Sequence, residues 1–144
     1  MNIIFEQIKS IIDPSLPLVS NLANIASILF KLEDVNWAGF YLSDGHKLFL
    51  GPFQGEPACT IIPFDKGVCG YAYTKKETVV VDNVHEFKGH IACSSLSKSE
   101  IVAPVTINGE VKLVIDIDSP IYNRFKNEDI ILVNKVRDLI ATLF

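Results

Sequence analysis

The stretch EIVAPVTINGEVKLVIDID, residues 100–118, contains two strand-like runs that meet at Asn108-Gly109. Asn-Gly is strongly preferred in two-residue hairpin turns of type I′, because both central positions of that turn have positive φ. A two-residue turn pairs Ile107 with Glu110, so Val105 would oppose Lys112, Ile101 would oppose Asp116, and charged residues would fall on both faces of the sheet. The stretch therefore predicts an antiparallel hairpin whose register has to be chosen from the hydrophobic pattern.

A three-residue loop over 107–109, with Gly109 as a left-handed bulge residue, makes one face of this hairpin wholly apolar. The opposed pairs are then Val105 with Val111, Ala103 with Leu113, and Ile101 with Ile115. We predict this bulged loop, because register follows the hydrophobic pattern where one face is buried. The opposite face collects Glu100, Asp116 and Asp118, with Glu100 opposite Asp116. Those three acids either lie on a solvated outer face or line a functional pocket.

Helical patterns flank this β-rich region. Apolar residues at helical spacing predict one helix over residues 2–12, a second ending near Leu32, and a third that begins at Asn127 as its N-cap. The predicted strands and short helix between them are Trp37–Leu42, Lys47–Gly51, Cys59–Pro63, the helix Val68–Lys75, and Thr78–Val81.

Residues 83–98 show no clean periodicity, and we predict a loop there with at most one helical turn. The element order predicts a single α+β domain spanning residues 1–144. We expect an antiparallel sheet with the N- and C-terminal helices packed on one face. Loops and short helices would form a pocket on the other face.

Charge and hydropathy exclude two classes of partner. The 144 residues carry a formal net charge of −4, and their 13 Lys and Arg residues are scattered, so nucleic acid is not expected to bind. Mean hydropathy is +0.30, but no run approaches the roughly 20 apolar residues of a membrane span. The N-terminal residues lack the basic start and unbroken apolar centre of a signal peptide, so we expect a cytoplasmic protein with no membrane contact.

The chain has three cysteines, and an odd count argues against a disulfide scaffold. Cys93 lies in a loop of small residues, 89–95, whose backbone N–H groups suit a reactive thiolate. Cys69 lies near the start of the predicted helix, where the helix dipole also favours a thiolate. Cys59 lies at the start of a predicted strand. The cysteines are either buried small apolar residues or thiol chemistry distributed over three elements.

Several short motifs resemble the GAF-domain family of free methionine-(R)-sulfoxide reductases, and together they cover about three-quarters of the chain. Each motif is weak alone, but the set in this order is specific. The motifs are Trp37-Ala38-Gly39-Phe40-Tyr41, Leu50-Gly51-Pro52-Phe53-Gln54-Gly55, Ala58-Cys59-Thr60, Gly67-Val68-Cys69-Gly70, Gly89-His90-Ile91-Ala92-Cys93, Ser99-Glu100-Ile101-Val102 and Asp116-Ile117-Asp118-Ser119-Pro120.

The resemblance implies a GAF-like fold and roles for the cysteines. Cys93 resembles the catalytic cysteine, which attacks the sulfoxide sulfur and becomes a sulfenic acid. Cys59 resembles the resolving cysteine, and Cys69 resembles a second resolving thiol that relays the disulfide. A thioredoxin-like protein would then restore the thiols, and no metal or organic cofactor is implied.

The predicted acid cluster fits the same chemistry. The departing sulfoxide oxygen needs a proton, and crowded carboxylates raise at least one pKa. We expect Glu100, Asp116 and Asp118 to share proton donation and binding of the ammonium group. Trp37 and Tyr41, four residues apart on one strand, would wall the substrate on one side of the sheet or else be core aromatics. The remaining expected substrate-binding residues are His90, Ile91 and Ala92.

Three other interpretations remain open at this point. A GAF-like domain can act as a non-catalytic sensor of a small molecule such as a nucleotide. His85, His90 and Cys93 could ligate a metal, although their spacing matches no common zinc motif. The apolar faces of the terminal helices could also leave surface for a homodimer.

Overall fold

The computed structural model describes residues 2–90, 93 and 96–144. Within these residues, six antiparallel strands form one sheet in the order β3-β2-β1-β6-β5-β4. The elements in chain order are α1 (Asn2–Ile11), α2 (Leu18–Leu29), β1 (Trp37–Ser43), β2 (Lys47–Gly55), β3 (Ile61–Pro63), α3 (Gly67–Lys75), β4 (Val79–Val81), a 3₁₀ turn (Val84–Glu86), β5 (Ser99–Ile107), β6 (Glu110–Ser119) and α4 (Asn127–Ala141).

The sheet separates two apolar layers, as the sequence predicts. Helices α2 and α4 bury their apolar stripes against one face, and α1 packs on these two helices. Leu22, Val136 and Ile115 belong to the core cluster on this side. Helix α3 packs on the opposite face, where a second cluster includes Val68 and Val102. No helix among the described residues is long and apolar enough to cross a bilayer.

The β5–β6 register differs from both registers considered for the hairpin. Ile107 opposes Glu110, and Asn108 and Gly109 have φ of 52° and 80°, so the turn has two residues rather than three. The register shifts further along, where Val105 opposes Leu113 and Thr106 opposes Val111, which leaves Lys112 as the extra residue. This bulge restores an apolar core face, but Glu100 now opposes Asp118 instead of Asp116.

Three predicted element boundaries also need correction. Helix α4 begins at Asn127, but the N-cap position is Lys126, whose backbone N–H donates to Asp129 Oδ2 at 2.8 Å. The carboxylate of Asp129 in the first turn therefore accepts from a backbone N–H at the start of the helix, and Asn127 is not the cap. Helix α2 ends at Leu29, short of Leu32. Strand β3 begins at Ile61, so Cys59 lies in irregular chain before it.

Candidate active site

Cys59 and Cys93 are 34 residues apart in sequence and are joined by a disulfide, with a Cα–Cα distance of 5.4 Å. Cys59 precedes the short strand β3, and Cys93 follows the 3₁₀ turn Val84–Glu86. Both residues are partly buried. The fold therefore brings together the two cysteines for which the family resemblance implies attack and resolution.

The three predicted acids lie on the α3 side of the sheet, on adjacent strands. Glu100 of β5 opposes Asp118 of β6, and Asp116 lies two residues before Asp118 on the same face. Glu100 and Asp116 are only 7% and 5% exposed. All three acids line one cavity together with Cys93. The predicted acid cluster is thus a pocket wall and not a solvated outer face.

Burial is the main cause of the acids' electrostatics. It raises the pKa of Glu100 well above its usual range, and the neighbouring Asp116 and Asp118 raise that pKa further. Burial, and then the charge of Asp116, also raises the pKa of Asp118, and burial raises the pKa of Asp116; in both aspartates a hydrogen bond with Glu100 opposes part of this rise. Burial therefore favours protonation within the cluster, and Glu100 is the acid whose pKa both neighbours raise. Among the described residues, Oδ1 of Asp116 and Oδ1 of Asp118 have no hydrogen-bond partner.

Cys69 lines the same cavity but does not take part in the disulfide. It lies in the first turn of α3, is 3% exposed, and its Sγ donates to Asp116 Oδ2 at 3.4 Å. Burial, followed by the charge of Asp116, raises the pKa of this thiol well above its usual value. The expectation that the helix start favours a Cys69 thiolate is therefore wrong, because burial and the carboxylate outweigh the helix dipole.

Trp37 and Tyr41 of β1 both line the cavity, with ring centroids 6.0 Å apart. Their polar ends contact the segment that carries Cys59, a contact that no pattern in the sequence predicts. The Tyr41 hydroxyl donates to the carbonyl oxygen of Cys59 at 2.8 Å, and Trp37 Nε1 donates to the carbonyl oxygen of Glu56 at 3.1 Å. Gly55 permits this approach, because a Cβ there would lie 2.8 Å from Trp37 Cδ1.

His90 also lines the cavity, as predicted. Its pKa is lowered by burial and then by the neighbouring His85, so the imidazole is neutral at physiological pH. A neutral His90 does not offset the acids' effect on a nearby thiolate. The predicted binding residues Ile91 and Ala92 lie outside the described residues.

The residues placed to ligate a cation are not the His85, His90 and Cys93 set considered from the sequence. Cys93, the sulfur of the suggested His-His-Cys set, is held in the disulfide. Within the described part of the chain, Cys69, Glu100 and Asp116 could ligate a cation, with one ligand atom from each lying within 4.8 Å of the others.

Sequence reasoning missed Ser97 in the pocket lining and Phe53 behind it, together with apolar lining residues such as Ile62 and Val68. Ser97 is 5% exposed, lines the cavity and accepts a hydrogen bond from Asn36 Nδ2 at 3.4 Å. It lies in the aperiodic stretch 83–98, where no pattern marks an inward-facing side chain. Phe53 stacks on Trp37 at 5.2 Å, and its place in the motif 50–55 was the available signal.

Comparison with known proteins assigns the class of this domain. The family model described as GAF domain matches residues 17–143, so the chain is a GAF domain and the predicted GAF-like fold is confirmed. It is 44% identical over 126 residues to free methionine-R-sulfoxide reductase of Escherichia coli K12, a match that covers 87% of this chain and 74% of the relative.

Two solved structures extend the comparison. The Neisseria meningitidis free methionine-R-sulfoxide reductase in complex with its substrate has a TM-score of 0.93 and 41% identity, covering 98% of this chain and 86% of that one. The reduced form of fRMsr from Staphylococcus aureus has a TM-score of 0.94 and 42% identity, covering 99% and 93%. The chain therefore belongs to the GAF-domain family of free methionine-R-sulfoxide reductases.

Proposed function

We propose that the chain reduces free methionine-(R)-sulfoxide to methionine, with Cys93 as the nucleophile and Cys59 as the resolving thiol. The observation that carries this proposal is the pocket itself. Cys93, which is disulfide-bonded to Cys59, lines one cavity with Glu100, Asp116 and Asp118, so that an electron source and a proton source meet at one place. The named relatives carry out this reaction on the free amino acid, which supports the choice of substrate.

The first step forms an S–O bond on the enzyme and breaks one on the substrate. The Cys93 thiolate attacks the sulfoxide sulfur, a proton goes to the sulfoxide oxygen, and methionine leaves while Cys93 becomes a sulfenic acid. Glu100 supplies the proton, because it is the acid whose pKa is raised by burial and by both aspartates. Sulfur is thereby reduced by two electrons in the substrate, and Cys93 is oxidised by two.

The two aspartates of the same cluster, Asp116 and Asp118, recognise the substrate. A free amino acid carries an ammonium group, which needs buried acceptors to replace its water. Oδ1 of Asp116 and Oδ1 of Asp118 are unpartnered within the described residues and are suited to accept it. The Trp37 and Tyr41 rings provide an apolar wall for the thioether part of the side chain.

The second step closes the disulfide. The Cys59 thiol attacks the sulfenic acid of Cys93, the S–S bond forms and water is released. A dithiol protein of the thioredoxin type then reduces the disulfide by exchange, in the cytoplasm. The whole chain acts as one domain, and exposed apolar side chains of α1 and α2, such as Ile3 and Val19, offer a surface for a second copy of the chain.

An assay on both epimers of the free sulfoxide tests the proposal. With dithiothreitol as reductant, we expect wild type to consume the R epimer and Cys93→Ser to be inactive. With thioredoxin as reductant in place of dithiothreitol, Cys59→Ser should release one methionine per chain and then stop, because it cannot form the disulfide that thioredoxin reduces. Normal turnover by Cys93→Ser would refute the assignment of the nucleophile. A wild-type protein that consumes neither epimer would favour a ligand sensor instead.

A further inference from the structure

Residues 56–60 join β2 to β3 as irregular chain. Within this connection the segment 56–59 contributes Pro57 and Ala58 to the pocket lining and places Cys59 at its disulfide with Cys93. Pro57 has no backbone N–H to offer, so this segment cannot hydrogen-bond like a continuous strand. The ladder between β2 and β3 covers the pairs from Lys47 with Pro63 to Phe49 with Ile61, and the Leu50 N–H extends it by donating to the carbonyl of Thr60 at 2.9 Å. Residues 56–59 lie beyond the last of these bonds. The position of Cys59 therefore depends on contacts made from outside the segment.

Two side chains of β1 make such contacts, one at each end of the segment. The Tyr41 hydroxyl donates to the carbonyl of Cys59 at 2.8 Å, and Trp37 Nε1 donates to the carbonyl of Glu56 at 3.1 Å. Both donors come from one central strand, four residues apart, so the spacing between the two attachment points is set by the sheet.

The two donors are themselves firmly held. Trp37 is 3% exposed and Tyr41 is 2% exposed. The Trp37 ring stacks between Tyr41 and Phe53, with centroid distances of 6.0 Å and 5.2 Å. A buried, stacked ring loses little further freedom when its polar end donates a hydrogen bond, so the segment is tied to a rigid frame.

We propose that Trp37 and Tyr41 are positioning residues that hold Cys59 within reach of Cys93. This inference rests on the proposed function, in which Cys59 is the resolving thiol. The two aromatics act on the backbone of the segment, independently of any contact that their rings make with substrate. Loss of either hydrogen bond gives the reduced segment more freedom, and the effective concentration of the Cys59 thiol at Cys93 falls.

The test is the equilibrium between the dithiol and the disulfide in glutathione redox buffers, measured by quenched thiol counting. The proteins carry a Cys69→Ser background, which leaves Cys59 and Cys93 as the titrating pair. The variants are Tyr41→Phe and Trp37→Phe, each of which removes one donor and keeps an aromatic ring. The control is Tyr73→Phe, which removes a hydroxyl from another partly buried tyrosine, one that contacts Ser43 at 3.5 Å.

We expect each of the two variants to lower the effective concentration about fivefold, the usual net effect of one hydrogen bond. Tyr73→Phe should match wild type. Thermal unfolding of the reduced proteins is measured alongside, because a purely structural role would lower the melting temperature and leave the dithiol equilibrium unchanged. Wild-type effective concentrations in both Tyr41→Phe and Trp37→Phe would overturn the proposal.

The two proposals fail separately. The glutathione equilibrium involves no methionine sulfoxide. It therefore measures the effective concentration of the Cys59 thiol at Cys93 whether or not the sulfoxide is the substrate. If reduced wild type releases no methionine from the free sulfoxide, the proposed function is wrong and the equilibrium measurement still stands. If methionine is released and the variants keep the wild-type equilibrium, only the positioning role is wrong.

Discussion

Glu100 and Asp118 face each other across β5 and β6, and Asp116 is the next inward residue on β6. Their grouping on one face could be predicted from sequence, because side chains alternate along a strand with a period of two. Which of the three acids donates a proton and which bind the ammonium group could not be predicted. That division depends on how deeply each carboxyl is buried and on which carboxyl oxygens hydrogen-bond to one another. The contacts of Tyr41 and Trp37 were also beyond prediction, since a backbone carbonyl acceptor leaves no mark in the sequence.

At the level of single residues, we predict that Glu100→Gln slows the first release of methionine from reduced enzyme by about 100-fold. Glutamine keeps the size and one hydrogen-bond donor but cannot give up a proton, and general acid catalysis is worth at least this factor. Rapid-quench measurement of methionine checks the rate. In wild type the rate should fall as pH rises through the raised pKa of Glu100, and this decline should vanish in the variant.

The matched control is Glu110→Gln, which makes the same change at an exposed glutamate beside the hairpin turn. It should leave the release of methionine unchanged. A rate within twofold of wild type in Glu100→Gln would show that another group protonates the sulfoxide oxygen.

The register of the β5–β6 hairpin is set by two features, the Asn108-Gly109 turn and the alternation of apolar residues along the two strands. Asn108-Gly109 forms the two-residue turn that its sequence favours. The apolar face also forms as predicted, but the shift that reconciles the two lies at Lys112, inside the strand. Sequence indicated that a bulge was needed and could not place it, because several positions restore the same alternation.

At the level of this element, we predict that Gly109→Ala lowers the free energy of unfolding by about 1 kcal/mol, because an alanine at φ +80° is strained. Within the described residues, no heavy atom lies within 4 Å of a Cβ built at Gly109, so the whole loss comes from the backbone. Urea unfolding of reduced protein measures it. Glu110→Ala, an exposed neighbour, should change stability by less than about 0.5 kcal/mol. Equal stability of Gly109→Ala and wild type would contradict the turn geometry.

At the scale of the whole molecule, one face of the sheet carries the main apolar core and the other carries the pocket. Helices α2 and α4, with α1 packed on them, cover one face with an extensive apolar core. The other face accommodates the buried acids and the cysteines beneath α3. The layer arrangement followed from the order of elements in sequence, but the strand order β3-β2-β1-β6-β5-β4 did not, because pairing between distant strands has no local signal.

The buried acids make the whole fold sensitive to pH. Glu100 and Asp118 have raised pKa values in the folded state, so the folded protein binds more protons than the unfolded chain above the ordinary carboxyl range. Stability should therefore fall as pH rises, by up to about 1.4 kcal/mol per pH unit for each proton held. His90 has a lowered pKa and contributes the opposite slope below its usual 6.5, so the comparison belongs above that pH.

Urea unfolding of reduced, ligand-free protein between about pH 6.5 and 8 measures this slope. We expect wild type to lose stability across the interval, and Glu100→Gln to lose less because it has no proton to release. A stability that rises with pH in wild type would mean that the three carboxyls are all ionised in the fold.

Attack by Cys93 followed by resolution by Cys59 is tested in a single-turnover experiment without any external reductant. Fully reduced protein is mixed with excess free methionine-(R)-sulfoxide, and methionine, free thiols and disulfide connectivity are determined from the same sample. We expect one methionine per chain, one Cys59–Cys93 disulfide, and Cys69 still free. A product in which Cys69 is bonded to Cys93 while Cys59 stays free, or a disulfide formed without methionine, would contradict this mechanism.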